Sequence, residues 1–131
     1  MSLLRLTDQL IGHVTGGAVF GPDGGIWSAT PGFYGIQSEF SSYSDAFLNR
    51  NSNVLYSGIE FLCEPFIVTS FSDELLIAQK SSYSVIIMNC EKRCFVIGFH
   101  DEQIPFERCY NAVKTLANGI IGHQFEDVIN M

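Results

Sequence analysis

The sequence predicts an α+β domain: a central antiparallel β-sheet with N- and C-terminal helices packed on one face and smaller helical elements on the other. Apolar residues recur at helical spacing at both ends of the chain, and short apolar runs bounded by turn residues fill its middle. A length of 131 residues suits one core, so residues 1–131 are expected to form a single domain.

Leu3, Leu6, Leu10 and Ile11 repeat at helical spacing before Gly12, which predicts a short opening helix that stops at the glycine. A hairpin follows. Its strands run from Val14 to Gly21 and from Gly25 to Ala29, and Pro22, Asp23 and Gly24 supply the turn. Between Gly35 and Arg50, Ile36, Phe40, Tyr43, Phe47 and Leu48 fall three and four residues apart, the spacing of an amphipathic helix. Past Asn53 the pattern changes to strands: Ile59 to Leu62, Phe66 to Phe71, Leu75 to Ala78, Ser84 to Asn89 and Phe95 to Phe99, read as a meander. A final helix runs from about Pro105 to Gly122, with Phe106, Cys109, Ala112, Val113, Leu116 and Ile120 on its apolar face.

Composition narrows the function classes. Hydrophobic residues are 47% of the chain and eleven are Phe, enough to build a core without covalent staples. No apolar run approaches the ~20 residues that span a bilayer, and the N-terminus lacks a signal-peptide pattern, so a cytosolic protein is expected. In that compartment the four cysteines are expected as free thiols. Fourteen acidic against seven basic residues make nucleic acid and anionic lipid poor partners, because both need clustered Lys and Arg. A protein or peptide partner is the better expectation.

Catalytic and metal constellations are weak. His13, His100 and His123 have no recognisable Ser or Cys partner, and Asp101 with Glu102 makes no acid–base couple. The glycines at 16, 17, 24 and 25 do not fit a phosphate-binding loop. Cys90 and Cys94 would face each other across a tight hairpin, but with His100 they give at most three zinc ligands where four are needed. Lys92 and Arg93 between them would favour a redox-sensitive pair, which burial would oppose. No enzyme activity and no cofactor are expected.

The stretch from Cys94 to Phe125 carries the most specific signal. Phe95, Val96, Ile97 and Gly98, then Asp101 and Glu102, then Cys109, Tyr110 and Asn111 closely resemble the C-terminal strand and helix of profilins. Other landmarks of that family follow in order. Asp8, Gln9 and Leu10 match its N-terminal helix, Ala18 to Trp27 its first hairpin, then come Pro31, Gly32 and Phe33, and Gly58 to Val68 matches a strand pair. The resemblance covers about the whole chain, with modest identity outside the two ends.

The resemblance implies an actin-monomer-binding protein of the cytoplasm and cytoskeleton, performing no chemistry of its own and acting as a monomer on polymerisation and on nucleotide exchange by actin. It implies actin contacts at Val68, Ser70, Lys80, Phe106, Tyr110, Asn111 and Lys114, although Tyr110 and Lys114 also suit an ordinary solvated helix face. Basic residues common on the family's actin face are replaced by Pro65, Ala78, Asn89 and Cys90. It also implies a site for proline-rich partners such as formins at Leu3, Leu6, Trp27, Ile121 and Phe125. That site needs flat aromatic rings to receive a polyproline II helix. Only Trp27 stands unchanged, and it equally suits a structural wedge. Leu3 and Leu6 replace the N-terminal Trp and Tyr, where helix packing is the simpler reading, so weakened or altered proline-peptide binding is expected. Glu126 to Met131 extend past the family's usual end and would either cover that cleft or fray. Two alternatives stay open: a profilin-fold adaptor or interaction module that has lost actin binding, and a small-ligand sensor, for which the Phe-rich core leaves little cavity.

Overall fold

The computed structural model describes residues 3–50 and 53–122, with side chains from Leu6 onward in the first helix. It begins with a 3₁₀ helix over Leu3–Leu10, tighter than an α-helix. Strands β1 (Gly16–Phe20) and β2 (Ile26–Ala29) form the expected hairpin, and α1 covers Gln37–Leu48. A single helical turn, α2 (Val54–Ser57), has no counterpart in the sequence expectation, because four residues are too few to show a period. Then come β3 (Ile59–Phe61), β4 (Glu64–Phe71), β5 (Leu75–Lys80), β6 (Tyr83–Cys90), β7 (Cys94–His100) and the long α3 (Phe106–Gly122).

The strands make one antiparallel sheet in the order β2-β1-β7-β6-β5-β4-β3. β4 starts two residues before the expected Phe66 and takes in Pro65. That proline faces Glu60 of β3, and pairing with β5 begins only at Ile67, so the missing N–H costs no bond on that side.

Strand alternation divides the core into two layers. Ala18, Phe20, Val85, Ile87, Phe95 and Ile97 point toward α1, where Phe40, Tyr43 and Phe47 meet them. This layer is aromatic: Phe20 lies 4.7 Å from Phe40 and 5.3 Å from Phe95 between ring centroids, and Phe61 lies 5.1 Å from Phe99. Such pairs add ~0.5–1.5 kcal/mol beyond their buried area. The Tyr43 hydroxyl donates to the Glu60 carbonyl, and burial pushes its pKa well above the ordinary tyrosine value. On the opposite face Val19, Ile86, Cys90, Cys94 and Val96 pack under Leu6 and Leu10 of the first helix and Cys109, Val113, Leu116 and Ile120 of α3. The terminal helices therefore share one face, with α1 on the other.

Specific polar bonds fix the outer elements. Thr7 Oγ1 and Ser28 Oγ lie 2.7 Å apart in a buried pair that joins the first helix to β2. The Glu39 carboxylate accepts from the backbone N–H groups of Leu62 at 2.7 Å and Cys63 at 2.8 Å, and both turn residues have positive φ. One side chain thus holds the left-handed β3–β4 turn against α1.

α3 lies close to the sheet because Gly98 has no side chain. A Cβ there would come 2.4 Å from Val113 Cγ2 and 3.2 Å from Cys109 Sγ. The Gly98→Ala substitution is expected to lower stability by about 1–3 kcal/mol through overpacking. In urea denaturation Val113→Ala added to it should recover part of that loss, and a strictly additive double variant would refute the contact. Gly119, by contrast, lies in α3 where an added Cβ would meet nothing within 4 Å. Gly119→Ala should raise stability by about 0.5–1 kcal/mol, seen as a higher thermal midpoint.

Candidate functional site

α3 is narrower than the sheet it covers. It packs on β6 and β7, leaving the same face of β4 and β5 open beside it. The register identifies what that open face carries. Ser70 pairs with Ile77, which pairs with Ile86 beneath α3, and Ile67 pairs with Gln79, which pairs with Ser84. Ile67, Ser70, Ile77 and Gln79 therefore line the uncovered surface. Ile67 is 72% exposed, a large apolar side chain held in water. α2 contacts β4, with Val54 packed against the α1-side core and Leu55 and Tyr56 exposed.

The flank of α3 bordering this surface is a stack. Phe106 and Tyr110 are one helical turn apart, with ring centroids 5.9 Å apart and planes 20° from parallel, and Lys114 Nζ sits 6.0 Å from the Tyr110 centroid. A cation over an exposed ring contributes ~0.5–1 kcal/mol, enough to bias the Lys114 rotamer. Phe106 also meets the His100 ring edge-on at 5.8 Å. His100 donates from Nδ1 to the Asp101 carbonyl at 3.1 Å, and its buried Nε2 has no hydrogen-bond partner among the described residues.

Of the residues expected on this face, Ser70, Phe106, Tyr110 and Lys114 are brought together. Val68 is not: it is 5% exposed, points into the α1-side core and offers no side chain to a partner. Its neighbour Ile67 takes that place, since a one-residue step along a strand reverses the face. Lys80 alternates with Leu76 and Ala78 toward the α1 side and pairs with the Glu64 carboxylate there. Asn111 lies on another flank of α3, lining a groove with Gln9, His13, Arg108, Ala112 and Thr115.

That groove runs between the terminal helices, none of the residues expected to receive proline-rich ligands lines it, and none of its lining residues is Phe, Tyr or Trp. Arg108 Nε donates to His13 Nδ1 across it at 3.2 Å. Leu6 is 1% exposed and serves helix packing, which removes it as a contact residue. Trp27 is half-buried and packs against the cluster beneath the two helices. Ile121 lines a different groove of about 520 Å³ with Met88, Asn89, Glu91 and Lys92. Strands β1 and β7 separate the strand of Trp27 from that groove's β6 wall. The Leu3 side chain, Phe125 and the segment 126–131 lie outside the described residues.

Among the described residues no group of three or more His, Cys, Asp or Glu side chains is placed to hold a metal ion, and no helix is long and apolar enough to cross a membrane. The buried Cys109 thiol is pushed up to about 12 by desolvation, whereas Cys63 is exposed.

The profilin family model matches residues 1–125. The chain belongs to the profilin family. Profilin-1A of Acanthamoeba castellanii is 27% identical over 114 residues, covering 87% of this chain and 89% of that protein. The crystal structure of A. castellanii profilin II superposes with a TM-score of 0.83 at 25% identity, over 92% of this chain and 98% of the other. Two more distant profilins share the fold at 14% identity. LokiProfilin2, solved in complex with rabbit actin, gives a TM-score of 0.70 over 91% of this chain and 94% of its own. Mouse profilin IIa, solved with a double repeat from the FH1 domain of mDia1, gives 0.68 over 88% and 93%. The family match ends at Phe125, so residues 126–131 lie beyond it.

Differential thiol access tests this arrangement. Brief alkylation of the native profilin near neutral pH is expected to label Cys63 and spare Cys90, Cys94 and Cys109, because only Cys63 is exposed. Early labelling of Cys109 in a peptide map would show that α3 is not seated on the sheet.

Proposed function

We propose that this profilin binds monomeric actin in the cytoplasm through the open face of β4 and β5 together with the Phe106–Tyr110–Lys114 flank of α3, and so regulates actin polymerisation. The exposed Ile67 on the open sheet face and the stacked Phe106 and Tyr110 on α3 carry the reading: apolar and aromatic side chains of this kind supply interface anchors. Family membership supports it, as does the shared fold of a profilin solved with actin. A surface that fits an open form of actin better than a closed one would shift actin toward the open form and speed nucleotide exchange, with no catalytic group required.

Charge plays a small part in this interface. Lys114 is the cation of the α3 stack, and rim charges of this kind tune association rate more than affinity. Binding should depend weakly on salt. Proline-rich peptides are recognised weakly, because Leu3 and Leu6 stand where the resemblance calls for aromatic rings, and Leu6 is buried in helix packing.

The test is anisotropy of labelled actin monomers titrated with purified protein. Ile67→Asp and Tyr110→Asp should each weaken binding at least about 30-fold, the equivalent of ~2 kcal/mol for an interface anchor. Asn111→Ala and Lys80→Ala should change it by less than about threefold, since they lie off this face. Binding that ignores Ile67→Asp but fails with Lys80→Ala would move the interface to the α1 side. In parallel, Trp27 emission should change little on addition of a polyproline peptide; a saturable shift would show that a proline-peptide site survives around Trp27.

A further inference from the structure

β6 and β7 end on a pair of cysteines that neither the open face nor the helix groove uses. Cys90 and Cys94 are directly opposed across the antiparallel pair. Both are buried, at 2% and 0% exposure, with their side chains on the same face of the pair. Opposed residues in such a pair have Cα atoms roughly 4.5–5.5 Å apart, inside the range that a disulfide spans. Cys109 is near in the fold but not a competitor. It sits over Gly98, four residues along β7 from Cys94, or about 13 Å at the rise of a strand.

We propose that Cys90 and Cys94 form a dithiol site that a hydroperoxide closes to a disulfide. One thiol is oxidised by the peroxide to a sulfenic acid with release of water. The second thiol attacks that sulfur, the S–S bond forms, and a second water leaves. Two thiols and one hydrogen peroxide thus yield one disulfide and two waters, and a small-molecule dithiol reverses the step.

Access is governed by the turn. Glu91 and Lys92 both have positive φ, at 56° and 64°, a conformation that side-chain-bearing residues adopt with strain. They and Arg93 are exposed, so the hairpin end is the place where local opening costs least and uncovers both sulfurs together. The neighbouring Cys94 thiol and burial push the Cys90 thiol up in the closed hairpin, which makes the site slow until the turn opens. Cys90 Sγ also lies 4.0 Å from the Ala117 carbonyl of α3, and Glu91 and Lys92 wall the groove that Ile121 lines. Oxidation therefore fixes one wall of that groove and removes the thiol proton next to the end of α3.

The sequence makes the test direct, since trypsin cleaves after Lys92 and after Arg93, between the two cysteines. In a Cys63→Ser background, protein treated with hydrogen peroxide, alkylated under denaturing conditions and digested should give residues 81–92 linked to residues 94–108. Two of its three thiols should be lost, and dithiothreitol should return both. Addition of Cys90→Ser should abolish the linked pair. Three alkylatable thiols after treatment, links to the Cys109 peptide, or sulfinic acid at Cys90 without a linked pair would each overturn the proposal.

Discussion

The close approach of α3 to β7 at Gly98 is the constraint on which the rest depends. The helix sits low enough for Cys109 and Val113 to touch the strand backbone. At that depth Leu116 and Ile120 reach the sheet as well, and the first helix can close over the same layer through Leu6 and Leu10. A helix raised by the diameter of a methyl group would lose dispersion contacts along its whole buried edge. Both candidate surfaces are bounded by α3, so both inherit its position.

Seating the helix over β6 and β7 leaves β4 and β5 uncovered. The sheet has more strands than one helix can shield, and among the described residues no second element covers the remainder on this side. Ile67 and Ile77 then stand on an open face, the first strongly exposed. Antiparallel sheets commonly leave one face to solvent, and what marks this one is the strongly exposed Ile67 on it. The aromatic stack on α3 continues the same surface upward from the sheet.

Much of the fold is legible in the sequence because local signals agree with global ones. The hairpin turn at Pro22 to Gly24, the five strands and the last helix each carry both period and punctuation. α2 escapes because one turn has no period. Site residues are harder, for a reason particular to strands. Pro65, Phe66, Ile67 and Val68 are apolar throughout, so alternation is silent about which face each occupies. The sequence therefore does not show that the Val68 side chain lies in the core and that of Ile67 on the open face. The helix gives better guidance: Phe106, Tyr110 and Lys114 follow an i, i+4 spacing and share a flank, whereas Asn111, one residue on from Tyr110, turns about 100° toward the first helix. Lys80 points to the α1 side for the same parity reason as Val68, with Glu64 as its partner.

α3 thus carries three jobs on three flanks of one cylinder. Cys109, Val113 and Leu116 face the sheet, Phe106, Tyr110 and Lys114 border the open strands, and Arg108, Asn111 and Thr115 border the first helix. A packed helix moves as a body, since interiors are too dense to absorb a local shift. A change on the buried flank must therefore displace both exposed ones together, while a change on either exposed flank leaves the other in place. That asymmetry separates residues that hold the surfaces from residues that contact a partner, and it puts Val113 and Gly98 in the first group and Tyr110 in the second.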